Sequence, residues 1–152
     1  MTWAHTAFAG GEHVVSTKFV HLSTHSADQA DHTFYGAGLM YEFPLVHHVV
    51  EMEFAVEGLV ADGVYATPVD VRLKVPFHLN RNTDLYVGAG AVADTVYDHG
   101  DTRVYPGMVS TVGAYLWSAD TLGVVLEVDY LVISEERTVH EIESGIGVAY
   151  RY

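Results

Sequence analysis

The residues with the most chemical capacity in this chain are ionisable groups that recur at every second position. Glu51, Glu53 and Glu57 form one such run, Glu127 and Asp129 another, and Glu141 and Glu143 a third. Asp70, Arg72 and Lys74 repeat the spacing with mixed sign, and Arg151 follows near the last residue. On a β-strand an interval of two places side chains on the same face, so each run lines one surface with charge. Such a surface can close into ion pairs, or it can offer a narrow path to cations where acids outnumber bases. An excess of enclosed carboxylates has to be hydrated, partly protonated or matched by cations, because an unpaired buried charge is expensive. Among the ten histidines, His21, His25 and His32 fall near Asp28 around one polar stretch. Imidazole and carboxylate groups could hold zinc or copper there if the stretch folds back on itself; the alternative is a solvated polar loop.

Composition narrows the partners. The chain has 152 residues and a formal charge of -13, with only seven Lys and Arg to neutralise phosphates, which argues against nucleic acid. It has no cysteine, hence no thiolate metal site, no cysteine nucleophile and no disulfide framework. No apolar run reaches the roughly 18–20 residues of a transmembrane helix, but a transmembrane strand needs only about 9–11 residues with alternating apolar positions. No nucleotide-binding loop, zincin helix or nucleophile elbow is present, and no cofactor is expected.

The elements that must position these groups are strands. Val139 to Tyr152 sets Ile142, Ile146, Val148, Tyr150 and Tyr152 on one face, with Glu141, Glu143, Gly145, Gly147, Ala149 and Arg151 on the other. Val69 to Leu79 alternates Val69, Val71, Leu73, Val75, Phe77 and Leu79 with Asp70, Arg72, Lys74, Pro76 and His78. Further strands are expected over Val14–Ser23, Phe34–Pro44, Val50–Leu59, Leu85–Asp94, Val104–Trp117 and Val124–Ile133. The facing of Val104–Trp117 is ambiguous in sequence. Asp62-Gly63 is a hairpin signal, Asn80–Asp84 and Asp120–Gly123 read as turns, and Thr24–His32, Tyr97–Arg103 and Glu135–Arg137 read as polar loops. Eight strands joined by turns and somewhat longer loops predict an all-β, up-and-down antiparallel meander over residues 14–152. Residues 1–13 precede it. Ala7-Phe8-Ala9 before Gly10 has the small-x-small pattern of a cleavage site, so this segment is read as a signal-peptide remnant.

Every charge assigned to a strand falls on a polar face: Glu42, Glu51, Glu53, Glu57, Asp70, Asp94, Glu127, Asp129, Glu141 and Glu143 against Lys18, Arg72, Lys74 and Arg151. The polar faces also carry Gly36, Gly38, Gly88, Gly90, Gly145 and Gly147, which suits the crowded inside of a narrow barrel. Tyr35, Tyr41, Phe43, Phe77, Tyr150 and Tyr152 sit towards strand ends on the apolar faces, where interfacial girdles belong. The expected fold is therefore an eight-stranded transmembrane β-barrel with a charged lumen and apolar faces in lipid.

Three stretches, Tyr35-Gly36-Ala37-Gly38-Leu39-Met40-Tyr41-Glu42-Phe43, Leu85-Tyr86-Val87-Gly88-Ala89-Gly90-Ala91 and Gly145-Ile146-Gly147-Val148-Ala149-Tyr150-Arg151-Tyr152, carry a resemblance to a known family. From about Val14 to Tyr152 the chain resembles the small eight-stranded bacterial outer-membrane barrels, such as the OmpA transmembrane domain and OmpX. The resemblance implies a place in the bacterial outer membrane, with termini and short turns on the periplasmic side. It also implies contact with outer-membrane lipids and lipopolysaccharide, and Tyr150 and Tyr152 in the signal that the barrel-assembly machinery reads. A structural, scaffold or surface-interaction role follows, with a protein partner reached through loops or barrel wall. The alternatives are a narrow cation-preferring pore, a soluble lipocalin-like binder and a hydrolase. For the last, His21-Leu22-Ser23 is similar to the His-x-Ser of the outer-membrane lipid A deacylases, although no glutamate stands at that family's place and the pair lies in the first hairpin.

Overall fold

The computed structural model describes residues 13–25, 33–47, 49–135 and 138–152. The eight expected strands are present: β1 (Val14–His25), β2 (Thr33–Val46), β3 (Val50–Ala61), β4 (Val64–Asn80), β5 (Thr83–Asp98), β6 (Asp101–Trp117), β7 (Leu122–Ser134) and β8 (Thr138–Arg151). Each pairs antiparallel with its sequence neighbours, and β1 pairs with β8 to close the barrel. The expected segment 1–13 lies outside the described residues except for His13, as do Asp28, His32 and the side chain of His25.

The alternation decides which side faces in. Glu53, Glu57, Asp70, Arg72, Lys74, Glu127 and Asp129 are buried, whereas their apolar neighbours Phe54, Val56, Val71, Leu73, Val75, Leu126 and Val128 are exposed. This is the inverse of a soluble barrel, and it overturns the lipocalin-like alternative, whose apolar faces would fill the interior. Exposed aromatics form two bands: Tyr41, Phe54, Phe77, Tyr150 and Tyr152 towards the end carrying the β2–β3, β4–β5 and β6–β7 turns, and Tyr35, Tyr65, Tyr97 and Tyr130 towards the other. The first is called the turn end below and the second the loop end.

The strands run longer than their alternation suggested. β4 starts at Val64 because Asp62-Gly63 connects it to β3 directly, and residues 97–103, expected as a polar loop, belong mostly to β5 and β6. His99 and Gly100 make a two-residue turn with φ of 46° and 96°, the type I′ signature that matches the twist of paired strands. Polar composition is a poor guide here: beyond the lipid a strand meets water, and Asp98, Asp101 and Thr102 are suited to it. The prolines mark interruptions in the ladder. Pro68 lies where β3–β4 pairing skips two residues, and Pro76 lies beyond the last β3–β4 rung, Glu51 opposite Lys74.

Candidate functional site

The lumen is filled by three layers. At the turn end Val14, Met40, Ala55, Tyr86, Tyr115, Trp117, Val125 and Ala149 pack together. At the loop end Val20, Leu22, Leu59, Ala66, Val92, Val109, Leu131, Ile133 and Val139 form an apolar plug. Between them lies the charged layer, built on Lys18 of β1, Arg72 and Lys74 of β4, and Glu127 and Asp129 of β7.

Lys18 Nζ lies 2.7 Å from Glu127 Oε1, 2.8 Å from Glu143 Oε1, 3.0 Å from Glu57 Oε1 and 3.5 Å from Asp129 Oδ2. Arg72 grips Asp70 with two donors, Nε at 2.6 Å and Nη2 at 3.0 Å. Its Nη1 donates to Asp129 at 2.7 Å and to Glu127 at 3.1 Å. Lys74 donates to Glu42 at 3.0 Å and Glu53 at 2.5 Å, with its ammonium 3.9 Å from the centre of the Tyr86 ring. The Tyr86 hydroxyl donates to the second oxygen of Glu127 at 2.7 Å, and that of Tyr115 to Glu42 at 3.2 Å. Glu127 is thus the hub, receiving hydrogen bonds from Lys18, Arg72 and Tyr86. Charge-assisted bonds of this kind are about twice as strong as neutral ones.

Two glycines make room for this arrangement. A Cβ at Gly145 would stand 2.8 Å from Lys18 Cδ, and one at Gly113 would stand 2.3 Å from the Tyr86 hydroxyl. Small residues here let long polar side chains cross the narrow bore.

Seven carboxylates (Glu42, Glu53, Glu57, Asp70, Glu127, Asp129, Glu143) face three cations in this layer. The surplus shows in the hydrogen bonding: Glu53 Oε1, Glu57 Oε2, Asp129 Oδ1 and Thr111 Oγ1 are buried without a hydrogen-bond partner among the described residues, and Glu57 Oε1 is met by the Lys18 ammonium at 3.0 Å. Such a layer can take up protons, water or a small cation. Glu127, Asp129 and Glu143 can each bring an oxygen within 4.8 Å of the others, a spacing a metal could use. Lys18 Nζ is within 3.5 Å of all three and supplies the positive charge there.

The remaining sequence candidates lie elsewhere. Glu51 is half-buried at the turn-end mouth beside Glu42, His78 and Asp84. Arg151 stacks over the Trp117 ring at 4.2 Å, donates to the Asp120 carbonyl at 2.8 Å and lies 3.7 Å from Asp84. Glu141 and Asp94 are buried without an ion pair to the three lumen cations. His21 and Ser23 are on the outer wall, where the His21 ring packs 5.1 Å from Tyr35; among the described residues neither has a carboxylate partner. Tyr152 is tied into the seam: its N–H donates to the His13 carbonyl at 3.0 Å, the His13 N–H donates back at 3.1 Å, and the two rings stack at 5.7 Å. Sequence reasoning does not single out Tyr86, Tyr115 and Trp117 as lumen residues. The signal for Tyr86 is its place on a polar face, and Tyr115 and Trp117 follow only from the register of β6 against β5.

No protein-family model matches the chain, and no curated protein matches it. Its fold is shared by solved structures. Neisserial surface protein A superposes with a TM-score of 0.78 at 11% identity, covering 94% of this chain and 100% of that one. Ail, the attachment invasion locus protein of Yersinia pestis, gives 0.65 at 15% identity, covering 93% and 99%. The outer membrane enzyme PagL gives 0.60 at 10% identity, covering 88% and 97%. At these identities the likeness is one of fold. The chain has the closed eight-stranded fold of the small bacterial outer-membrane β-barrels.

Proposed function

We propose that this protein is a sealed membrane scaffold, similar to the OmpA transmembrane domain and OmpX, that acts through its wall and rims. The observation that supports this reading is the layered lumen: an apolar plug at one end, an aromatic layer at the other, and a paired charge network between them. An ion would have to pass the apolar side chains of both end layers, which argues against a cation path. The loop end faces the cell exterior and the termini face the periplasm. Among the described connections at the loop end, those between β3 and β4 and between β5 and β6 have two residues each, which favours contact at membrane level over a long adhesive loop. Contact with lipids, lipopolysaccharide or a membrane partner is accordingly made at membrane level, and Tyr150 and Tyr152 serve the assembly machinery from the strand that closes the seam. The test is conductance in planar bilayers. The purified, refolded barrel should give no discrete current steps, and cation-selective steps from the wild-type chain would sink the scaffold reading in favour of a pore.

A further inference from the structure

At the turn end a cavity of about 30 Å³ opens on the outer side of the aromatic layer. That volume is close to the share of one molecule in liquid water, about 30 Å³. Three carboxyl groups line it: Glu42 of β2, Glu51 of β3 and Asp84 of β5. Asp84 is satisfied. Its Oδ1 lies 2.7 Å from His78 Nδ1, and its Oδ2 accepts from Trp117 Nε1 at 2.6 Å and lies 3.7 Å from Arg151 Nη1. Glu42 and Glu51 differ from it. Both hydrogen bonds to Glu42, from Lys74 and Tyr115, end on Oε2, so Oε1 of this residue, only 4% exposed, has no donor among the described residues. Lys74 pairs with Glu42, Glu53 and Glu127, which leaves Glu51 without an ion pair among the described residues. The Glu51 carboxyl group faces that of Glu42. Two carboxyl groups that face each other across so small a space favour a cation between them over two free charges.

The same wall already recognises an ammonium from its inner side. Lys74 Nζ is 3.0 Å from Glu42 Oε2, 3.9 Å from the centre of the Tyr86 ring and 5.6 Å from that of Tyr115. At the outer rim the Arg151 guanidinium covers the Trp117 ring at 4.2 Å. A carboxylate beside aromatic rings is the combination that cation–π recognition uses. Glu51 and Glu42 Oε1 supply the acidic half of that combination a second time, in a cavity that Tyr115 and Trp117 also line.

We propose that this mouth binds the terminal ammonium of a linear alkyl amine, whose N–H groups donate to Glu51 and Glu42 Oε1 while its methylene stem leaves past Pro76 and Leu85. Size and donor number select this class of cation. A hard divalent ion takes about six to eight oxygen ligands. Among the described residues the one group that brings three such ligand atoms within 4.8 Å is Glu127, Asp129 and Glu143, which lies in the charged layer and not at the mouth. A quaternary ammonium is too bulky for a water-sized cavity and has no N–H to donate. Binding at the mouth requires neither a conducting lumen nor a given orientation in the membrane, so its test is separate from that of the scaffold.

The experiment is isothermal titration calorimetry of the refolded barrel in non-ionic detergent, with the linear diamine cadaverine as the probe and tetramethylammonium and magnesium as competitors. The wild type should bind one diamine. Glu51→Gln keeps the shape of the side chain, removes its charge and should bind at least about tenfold more weakly. Asp62→Asn removes one charge from the β3–β4 turn at the opposite end and should leave the affinity unchanged. Neither competitor should displace the diamine at equal concentration. No binding by the wild type, equal affinity in Glu51→Gln, the same loss in Asp62→Asn, or displacement by tetramethylammonium or magnesium would each overturn the assignment. Heat-modifiable gel mobility reports folding of every variant independently of the amine.

Discussion

At the scale of single residues, Lys18 carries more of the lumen than its place in the sequence suggests. One ammonium lies within 3.0 Å of three carboxylates that belong to three different strands. Removing one partner of a buried pair leaves uncompensated charge and typically costs about 3–5 kcal/mol. Lys18→Met should therefore lower the urea-unfolding free energy of the barrel in liposomes by about that amount, followed by gel mobility. A loss under about 1 kcal/mol would show that Lys18 is dispensable to the network, as exposed pairs usually are. Gly145 offers a second reading of the same crowding. Gly145→Val should destabilise by about 1–3 kcal/mol through overpacking against the Lys18 stem, whereas Gly58→Ala, whose new Cβ would meet nothing within 4 Å, should be nearly neutral.

At the scale of elements, the hairpins and the seam decide how the strands meet. Gly100 sits at φ 96°, a conformation that side chains bearing a Cβ rarely adopt. Gly100→Val should cost about 1–3 kcal/mol and should loosen the β5–β6 register, visible as faster amide exchange in residues 95–105. The seam depends on β8, whose last rung beyond the strand is the reciprocal pair of His13 and Tyr152. Tyr152→Ala keeps those backbone bonds and removes the ring that stacks on His13. Its expected effect is a lower yield of folded barrel in an assembly assay, with the unfolding free energy of the folded fraction changed far less.

At the scale of the whole molecule, the exposed apolar wall and the buried charges make lipid or detergent part of the folding reaction. Refolding should give a β-rich product with heat-modifiable mobility only when detergent or lipid is present. A monodisperse β-protein in plain buffer would contradict the outward-facing wall. The same architecture explains the cost of the interior: the three cations are held among seven carboxylates in a layer between two largely apolar ones. The apolar plug at the loop end is approached from the β6–β7 wall by a shallow groove that Pro106, Met108 and Ile133 line.

Much of this was legible in residue order alone, because strand alternation is a local property. Glu51 to Glu57, Asp70 to Lys74 and Glu141 to Glu143 declare a charged face at an interval of two, and Leu73, Val75 and Phe77 declare an apolar one. Eight such segments, the ionisable faces turned inward and the aromatic bands at the rims follow from that period together with the crowding glycines. What the chain order could not show is which inward residues meet across the bore. Lys18 reaches Glu127 over 109 positions and Arg72 reaches Asp129 over 57, distances set by closure of β1 on β8 and by the stagger of the ladders. The same stagger removed Arg151 from the charged layer and placed it over Trp117 at the mouth, separated the lumen into layers, and left β6 standing above β7. Alternation is written two residues at a time, whereas the stagger is a property of the closed ring and exists only once all eight strands have paired.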